Sequence, residues 1–181
     1  MLQITIPGVE QWDEINQVFI TMKEQTLHLE HSLISLSKWE SKWCKPFISK
    51  EVKSQEETVD YIRCMTIDSN VDPTVYECLT GEHIEMVNRY IEAPMTATWF
   101  TERPGGGGGN QEQITSELIY YWMVSLNIPF ECQKWHINRL LTLIRICNIK
   151  NQPPKKMGRR EVMRNNAALN AARRKQHNSR G

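Results

Sequence analysis

Apolar and polar residues alternate at both ends of the first thirty positions. Leu2-Gln3-Ile4-Thr5-Ile6 has the period of a half-buried strand and is closed by Pro7-Gly8, and the alternation returns over Thr26-Leu27-His28-Leu29-Glu30. Between them the pattern is ambiguous. Trp12, Ile15, Val18 and Phe19 have helical spacing, whereas Val18 to Met22 also reads as a strand. The pattern predicts a small N-terminal antiparallel β element.

Helical periods dominate the remainder. Ser37-Lys38-Trp39-Glu40 has the Ser-x-x-Glu form of a capping box, predicting a helix that runs to Cys44 before Pro46 and places Trp39 and Trp43 on one face. Ser54-Gln55-Glu56-Glu57 repeats that form ahead of a stripe at Val59, Ile62 and Cys64 or Met65. Asp72-Pro73 pairs an N-cap acid with a proline suited to a first turn, leading into Val75, Tyr76 and Leu79. After Thr80-Gly81, the residues Ile84, Val87 and Ile91 predict another helix, ended by Pro94.

Two longer helices are predicted beyond a glycine tract, over about 111–126 and about 131–149. They are joined by Asn127-Ile128-Pro129 as an antiparallel hairpin, the second helix being apolar around most of its circumference. The expected fold is therefore mainly α: a compact helical domain over 1–152 with a small N-terminal antiparallel β element and a long C-terminal helical hairpin. Within it, 103–110 reads as a mobile Gly-rich loop. Pro153-Pro154 opens a flexible basic tail over 153–181, where alanines permit helix but little apolar surface is available to bury.

Composition supports a real core, with 40% hydrophobic residues in 181, and the charge balance sharpens the division. The net charge of +1 conceals 13 Lys+Arg against 20 Asp+Glu in residues 1–150, a net of −7, and a net of +8 in residues 151–181. An acidic body thus carries a basic tail. Met1 to Pro7 lacks the basic start and apolar run of a signal peptide, and 118–147 is too interrupted by polar residues to cross a membrane. Five cysteines without paired spacing read as reduced thiols of a cytoplasm.

The candidate chemistry is thin. Gly105 to Gly109 precedes Asn110-Gln111-Glu112 rather than the Gly-Lys-Ser/Thr of a phosphate loop, and five glycines in a row oppose a rigid anion cradle. His28, Glu30 and His31, or Cys132 and His136, make only fragments of a metal-ligand set. No nucleophile elbow or catalytic-cysteine signature is present, so the chain is expected to be neither an enzyme nor a cofactor protein. The candidate binding residues are the aromatic pair Trp39 and Trp43, ringed by lysines, and the tail cations Lys155, Lys156, Arg159, Arg160, Arg164, Arg173 and Arg174. Core packing competes with binding for the tryptophans, and nucleic acid competes with an acidic protein as ligand of the tail.

Several runs carry a family resemblance: Leu29-Glu30-His31-Ser32-Leu33 leading to Lys38-Trp39-Glu40-Ser41-Lys42-Trp43, Asp60-Tyr61-Ile62-Arg63-Cys64-Met65-Thr66, Ala93-Pro94-Met95-Thr96-Ala97-Thr98-Trp99-Phe100, and Ile128-Pro129-Phe130-Glu131-Cys132-Gln133-Lys134-Trp135-His136. The chain resembles the tail assembly chaperones of long-tailed, siphovirus-type bacteriophages over nearly its whole length. The resemblance implies a non-virion helper in the host cytoplasm that coats the tape measure protein, keeps it soluble and yields to the major tail (tube) protein. Such chaperones are often made in two lengths by ribosomal frameshifting, so a longer frameshifted form and a self-oligomer join the expected partners, with no membrane among them. The alternatives are a nucleic-acid-binding accessory protein that uses the basic tail, and a structural head-tail connector.

Overall fold

A computed structural model describes residues 1–13, 18–100, 113–152 and 158–177, and the fold is mainly helical with an N-terminal antiparallel β element. The expected Gly-rich loop, Lys155 and Lys156 lie outside the described residues. Contacts divide the chain into a compact unit, Met1–Asn148, and a second unit, Ile149–Gly181. The sequence pattern places that boundary slightly later, between Gln152 and Pro153.

Four strands form two antiparallel pairs. Strand β1 (Leu2–Ile6) pairs with β4 (Gln25–Leu29), placing Ile4 opposite Leu27, and β2 (Val9–Asp13) pairs with β3 (Val18–Met22). The open choice at Val18 to Met22 is thereby resolved as strand, and the segment around Trp12 is strand as well. Alternation decides which side packs: Ile4, Ile6, Leu27 and Leu29 are buried, while Gln3 and Thr5 face outward. Glu30 N–H donating to Met65 O and Ile67 N–H donating to His28 O fasten β4 to the residues after the second helix.

Helix α1 (Leu33–Trp43) begins five residues before its expected start, with its N-cap at Ser32 in place of Ser37. Its N-cap is Ser32, whose hydroxyl accepts from Ser35 N–H while Ser35 Oγ accepts from Ser32 N–H, so Ser37 lies inside the helix and caps nothing. The helix ends at Cys44 in the left-handed region, φ 51°. Helix α2 (Gln55–Met65) starts at Ser54 with the reciprocal Ser54/Glu57 box, and Lys45 Nζ holds the same carboxylate at 2.7 Å. Replacing Ser54 by alanine leaves Glu57 N–H without its cap and is expected to cost about 1 kcal/mol, read as a lower urea midpoint at unchanged slope.

Pro73–Cys78 is a 3-10 turn capped by Asp72, and α3 (Gly81–Glu92) is capped by Thr80. Helix α4 (Ser116–Ser125) packs on α1, and a 3-10 turn, Phe130–Lys134, precedes α5 (Ile137–Asn151). The expected 131–149 helix is therefore shortened at its start. His136 forms a β-bridge with Ser32, and Ile137 N–H donates to His31 O, which holds residues 135–136 out of helix. Helix α5 also buries a narrower stripe than expected: Ile137, Leu140 and Ile144 are interior, whereas Ile149 is exposed.

One interior cluster joins the β1/β4 pair to the helices of the first unit: Leu33, Leu36 and Trp39 of α1, Tyr61, Ile62 and Met65 of α2, Val87 and Tyr90 of α3, Ile119 and Met123 of α4, and Ile137, Leu140 and Ile144 of α5. In the second unit Arg159–His177 is a helix, α6. Its described side chains are all exposed, as the scarcity of apolar residues there requires. No helix among the described residues is long and apolar enough to cross a membrane.

Candidate functional site

A groove of about 560 Å³ opens where the end of α1, the outer face of α2, the 3-10 turn at Pro73–Cys78 and the start of α3 converge. Val59, Tyr76, Leu79 and Ile84 supply its apolar floor, and Lys42, Glu56, Asp60, Arg63 and Glu77 supply its charged rim. Helical spacing creates the α2 wall: Glu56, Val59, Asp60 and Arg63 fall on one side of the helix, while Tyr61, Ile62 and Met65 face the interior. The Asp72 cap turns the next segment so that Tyr76 is buried against the fold, its hydroxyl donating to Thr66 Oγ1 at 2.9 Å. The Arg63 guanidinium lies 4.8 Å from the centre of the Tyr76 ring, covering the aromatic edge of the floor.

The rim is electrostatically organised. Asp60 accepts from Lys42 Nζ at 2.5 Å and from Trp43 Nε1 at 2.9 Å. Burial pushes its carboxyl upward, but these two hydrogen bonds with the charges of Lys42 and Arg63 outweigh it, so Asp60 titrates below its ordinary range. It stays an anion at neutral pH and fixes the end of α1 against α2. Glu56 and Glu77 remain exposed on the same rim. An apolar floor bordered by both signs of charge suits an amphipathic segment that brings apolar side chains and charged flanks together.

The two tryptophans proposed from sequence part company. Trp39 is 1% exposed, and its indole N–H donates to Glu57 O at 2.9 Å, so it is an interior anchor and offers no surface to a partner. Trp43 is half-buried, stacks on Trp39 at 6.1 Å between ring centres, and reaches the groove through Asp60. Of the basic residues, Arg160, Arg164, Arg173 and Arg174 are exposed on α6, which also contains Arg159. The sequence pattern missed the groove residues Val59, Arg63, Tyr76, Leu79 and Ile84 as a set. The available signal was Val59, an apolar residue among Glu56, Asp60 and Arg63 on an otherwise charged helix side.

The histidines weighed as metal ligands have other partners. His28 bonds Asp68, His31 Nδ1 lies 2.5 Å from the Tyr61 hydroxyl, and His136 Nε2 lies 3.0 Å from Tyr90 O. Glu30 accepts from the Tyr90 hydroxyl at 2.7 Å and pairs with the N-terminal ammonium at 3.0 Å. Among the described residues no three His, Cys, Asp or Glu side chains are grouped to hold a metal ion. A scan against protein families, a search of curated proteins and a search of solved structures each return no match for the chain.

Proposed function

We propose that this chain is a tail assembly chaperone of long-tailed bacteriophages, which holds the tape measure protein soluble and hands it to tail-tube subunits. The observation that carries this reading is the groove over α2, apolar at Val59, Tyr76, Leu79 and Ile84 and charged at its rim. The sequence resemblance supplies the class of client, and the groove has the chemistry that class requires. A long helical client presents repeated apolar stripes to water before a tube encloses it. Many shallow grooves, each engaging one stripe weakly, cover such a client and still release it to a polymerising tube.

Co-expression with the tape measure protein of the same genome tests the reading. The expected result is a soluble client that co-purifies with the chain and stays bound after nuclease treatment. A client that stays insoluble or elutes alone refutes it. Particle composition separates the remaining alternative, because a chaperone is absent from purified virions by mass spectrometry whereas a head-tail connector is retained.

The groove itself is tested by pairing Val59→Gln with Arg63→Ala. These changes remove an apolar contact and the cation over Tyr76, and are expected to weaken client capture about tenfold. Thermal unfolding should shift by only a few degrees, since Arg63 is exposed and Val59 is half-buried. Unchanged capture would move the client to another face of the molecule.

A further inference from the structure

Helix α6 has two different sides. Taking Arg160 as reference and 100° per residue, Arg164, Arg174 and Lys175 fall within a sector of about 100°, with Ala167 and Ala171 between them. Val162 and Leu169 lie on the opposite side. The cations are also segregated along the axis: Arg160 and Arg164 stand one turn apart near the start, Arg174 and Lys175 sit near the end, and alanine occupies the middle of the face. From Arg164 to Arg174 the axial distance is about 15 Å, and from Arg160 to Lys175 about 22 Å. All four side chains are exposed, and no ion pair among the described residues engages them.

We propose that this face of α6 is a binding site for double-stranded DNA, engaged through the phosphates on the two sides of the major groove. The spacing is the first argument. A B-form major groove is about 12 Å wide and admits an α-helix, so cation pairs about 15–22 Å apart reach the phosphate walls on either side of it. Alanines at 167 and 171 keep the middle of that face narrow, which allows close approach of the helix to the groove. Guanidinium groups at 160, 164 and 174 offer bidentate hydrogen bonds to phosphate oxygens.

The composition of the face is the second argument, and it separates DNA from an acidic protein partner. A helix that docks in a protein groove is held by large apolar or aromatic anchors at i, i+3/i+4 and i+7, and this side of α6 has only alanine between its cations. Phosphate binding needs no such anchors, because its driving force is the release of condensed counterions. Residues 1–150 carry a net charge of −7 and repel a polyanion, which leaves the basic segment as the contact. With no base-reading pattern on the face, the binding is independent of sequence. This inference concerns a different unit from the groove and stands whether or not the chaperone reading does.

Fluorescence anisotropy with the full chain and a labelled 20-base-pair DNA duplex of mixed sequence, without any client, tests it. Binding is expected with a Kd of order micromolar at low salt, and log K should fall against log salt with a slope of about −3.6 for four phosphate contacts. Combining Arg160→Ala, Arg164→Ala, Arg174→Ala and Lys175→Ala should weaken binding more than tenfold and flatten the slope, while Arg173→Ala, outside the sector, should change it less than twofold. Because α6 is exposed, the melting temperature of the quadruple variant should match that of the parent. Three results overturn the proposal: the quadruple variant binds like the parent, an RNA duplex of the same sequence binds more tightly, or poly-glutamate competes as well as duplex DNA at equal charge.

Discussion

Replacing Trp39 by alanine is expected to lower the stability of the Met1–Asn148 unit by about 3–5 kcal/mol, the cost of emptying a fully buried indole site. Trp39 stands at the junction of three segments. Its ring lies against Trp43 at 6.1 Å and 29°, meets Phe47 edge-on at 5.2 Å, and donates its N–H to the Glu57 carbonyl. Alanine removes all of these contacts, including the indole bond that ties α1 to the first turn of α2. Against a total stability of about 5–15 kcal/mol for an ordinary domain, the loss brings the variant near its unfolding threshold at 37 °C. Trp43→Ala should cost markedly less, since Trp43 is half-buried and the Asp60 carboxylate it bonds keeps Lys42. Urea unfolding followed by circular dichroism gives the two differences directly. A Trp39→Ala protein within 1 kcal/mol of the parent would contradict the interior placement of the indole.

Local pattern does not separate the two tryptophans. Trp39 and Trp43 are four residues apart on one helix and both lie close to lysines, so pattern alone gives them the same environment. What separates them is α2, whose carbonyl at Glu57 covers Trp39 while its carboxylate at Asp60 meets Trp43 at the rim. Segments distant in sequence decide the difference, and a local pattern does not contain them. The start of α1 shows the same limit. Ser32-Leu33-Ile34-Ser35 caps the helix with serine at both positions, a weaker signal than the Ser37/Glu40 spacing that it displaces. Glu40 bonds elsewhere, its two carboxylate oxygens accepting from Phe47 N–H at 2.8 Å and from Ser116 N–H at 2.7 Å, which joins the end of α1 to the start of α4 across 76 positions.

Where local chemistry is sufficient, sequence pattern and structure coincide. The Ser54/Glu57 box, the Asp72-Pro73 start and the alternation of Leu2 to Ile6 each specify their element by side-chain to backbone bonding or by period alone. The groove was not legible because its floor collects single residues from separate segments, none of which is unusual in its own neighbourhood. Helix α6 lies between these cases. Its alanines and arginines permit a helix, but with its described side chains exposed it receives no packing energy, so composition alone favours disorder.

Acidification from pH 6.5 to pH 4.5 is expected to destabilise the first unit by about 2 kcal/mol through His31 alone, the slope approaching about 1.4 kcal/mol per pH unit below about pH 5.5. His31 is buried between Phe47, Tyr61 and His136, with Nδ1 at the Tyr61 hydroxyl and the His136 ring 5.0 Å away. Burial, and then the neighbouring His136, push its pKa down to about 3 from an ordinary 6.5. Below pH 6.5 the unfolded chain binds a proton that folded His31 refuses, so the unfolded state is favoured progressively as pH falls, down to about pH 3. His136 is shifted the same way, chiefly by burial, and steepens the trend. The carboxylates held low by their partners, Glu57, Asp60 and Asp68, add their losses from about pH 5 downward, where the unfolded chain begins to protonate groups that the native state keeps as anions. The upper part of that interval, from pH 6.5 to about pH 5, therefore isolates the histidines. His31→Phe removes the titrating ring and its bond to Tyr61, so its stability at pH 7 should fall while its slope over that interval decreases by about one proton. Urea midpoints at half-unit pH steps measure both quantities. A parent slope near zero, or a variant slope equal to the parent's, would mean that His31 takes up its proton in the folded state and that the ring is not sealed from water.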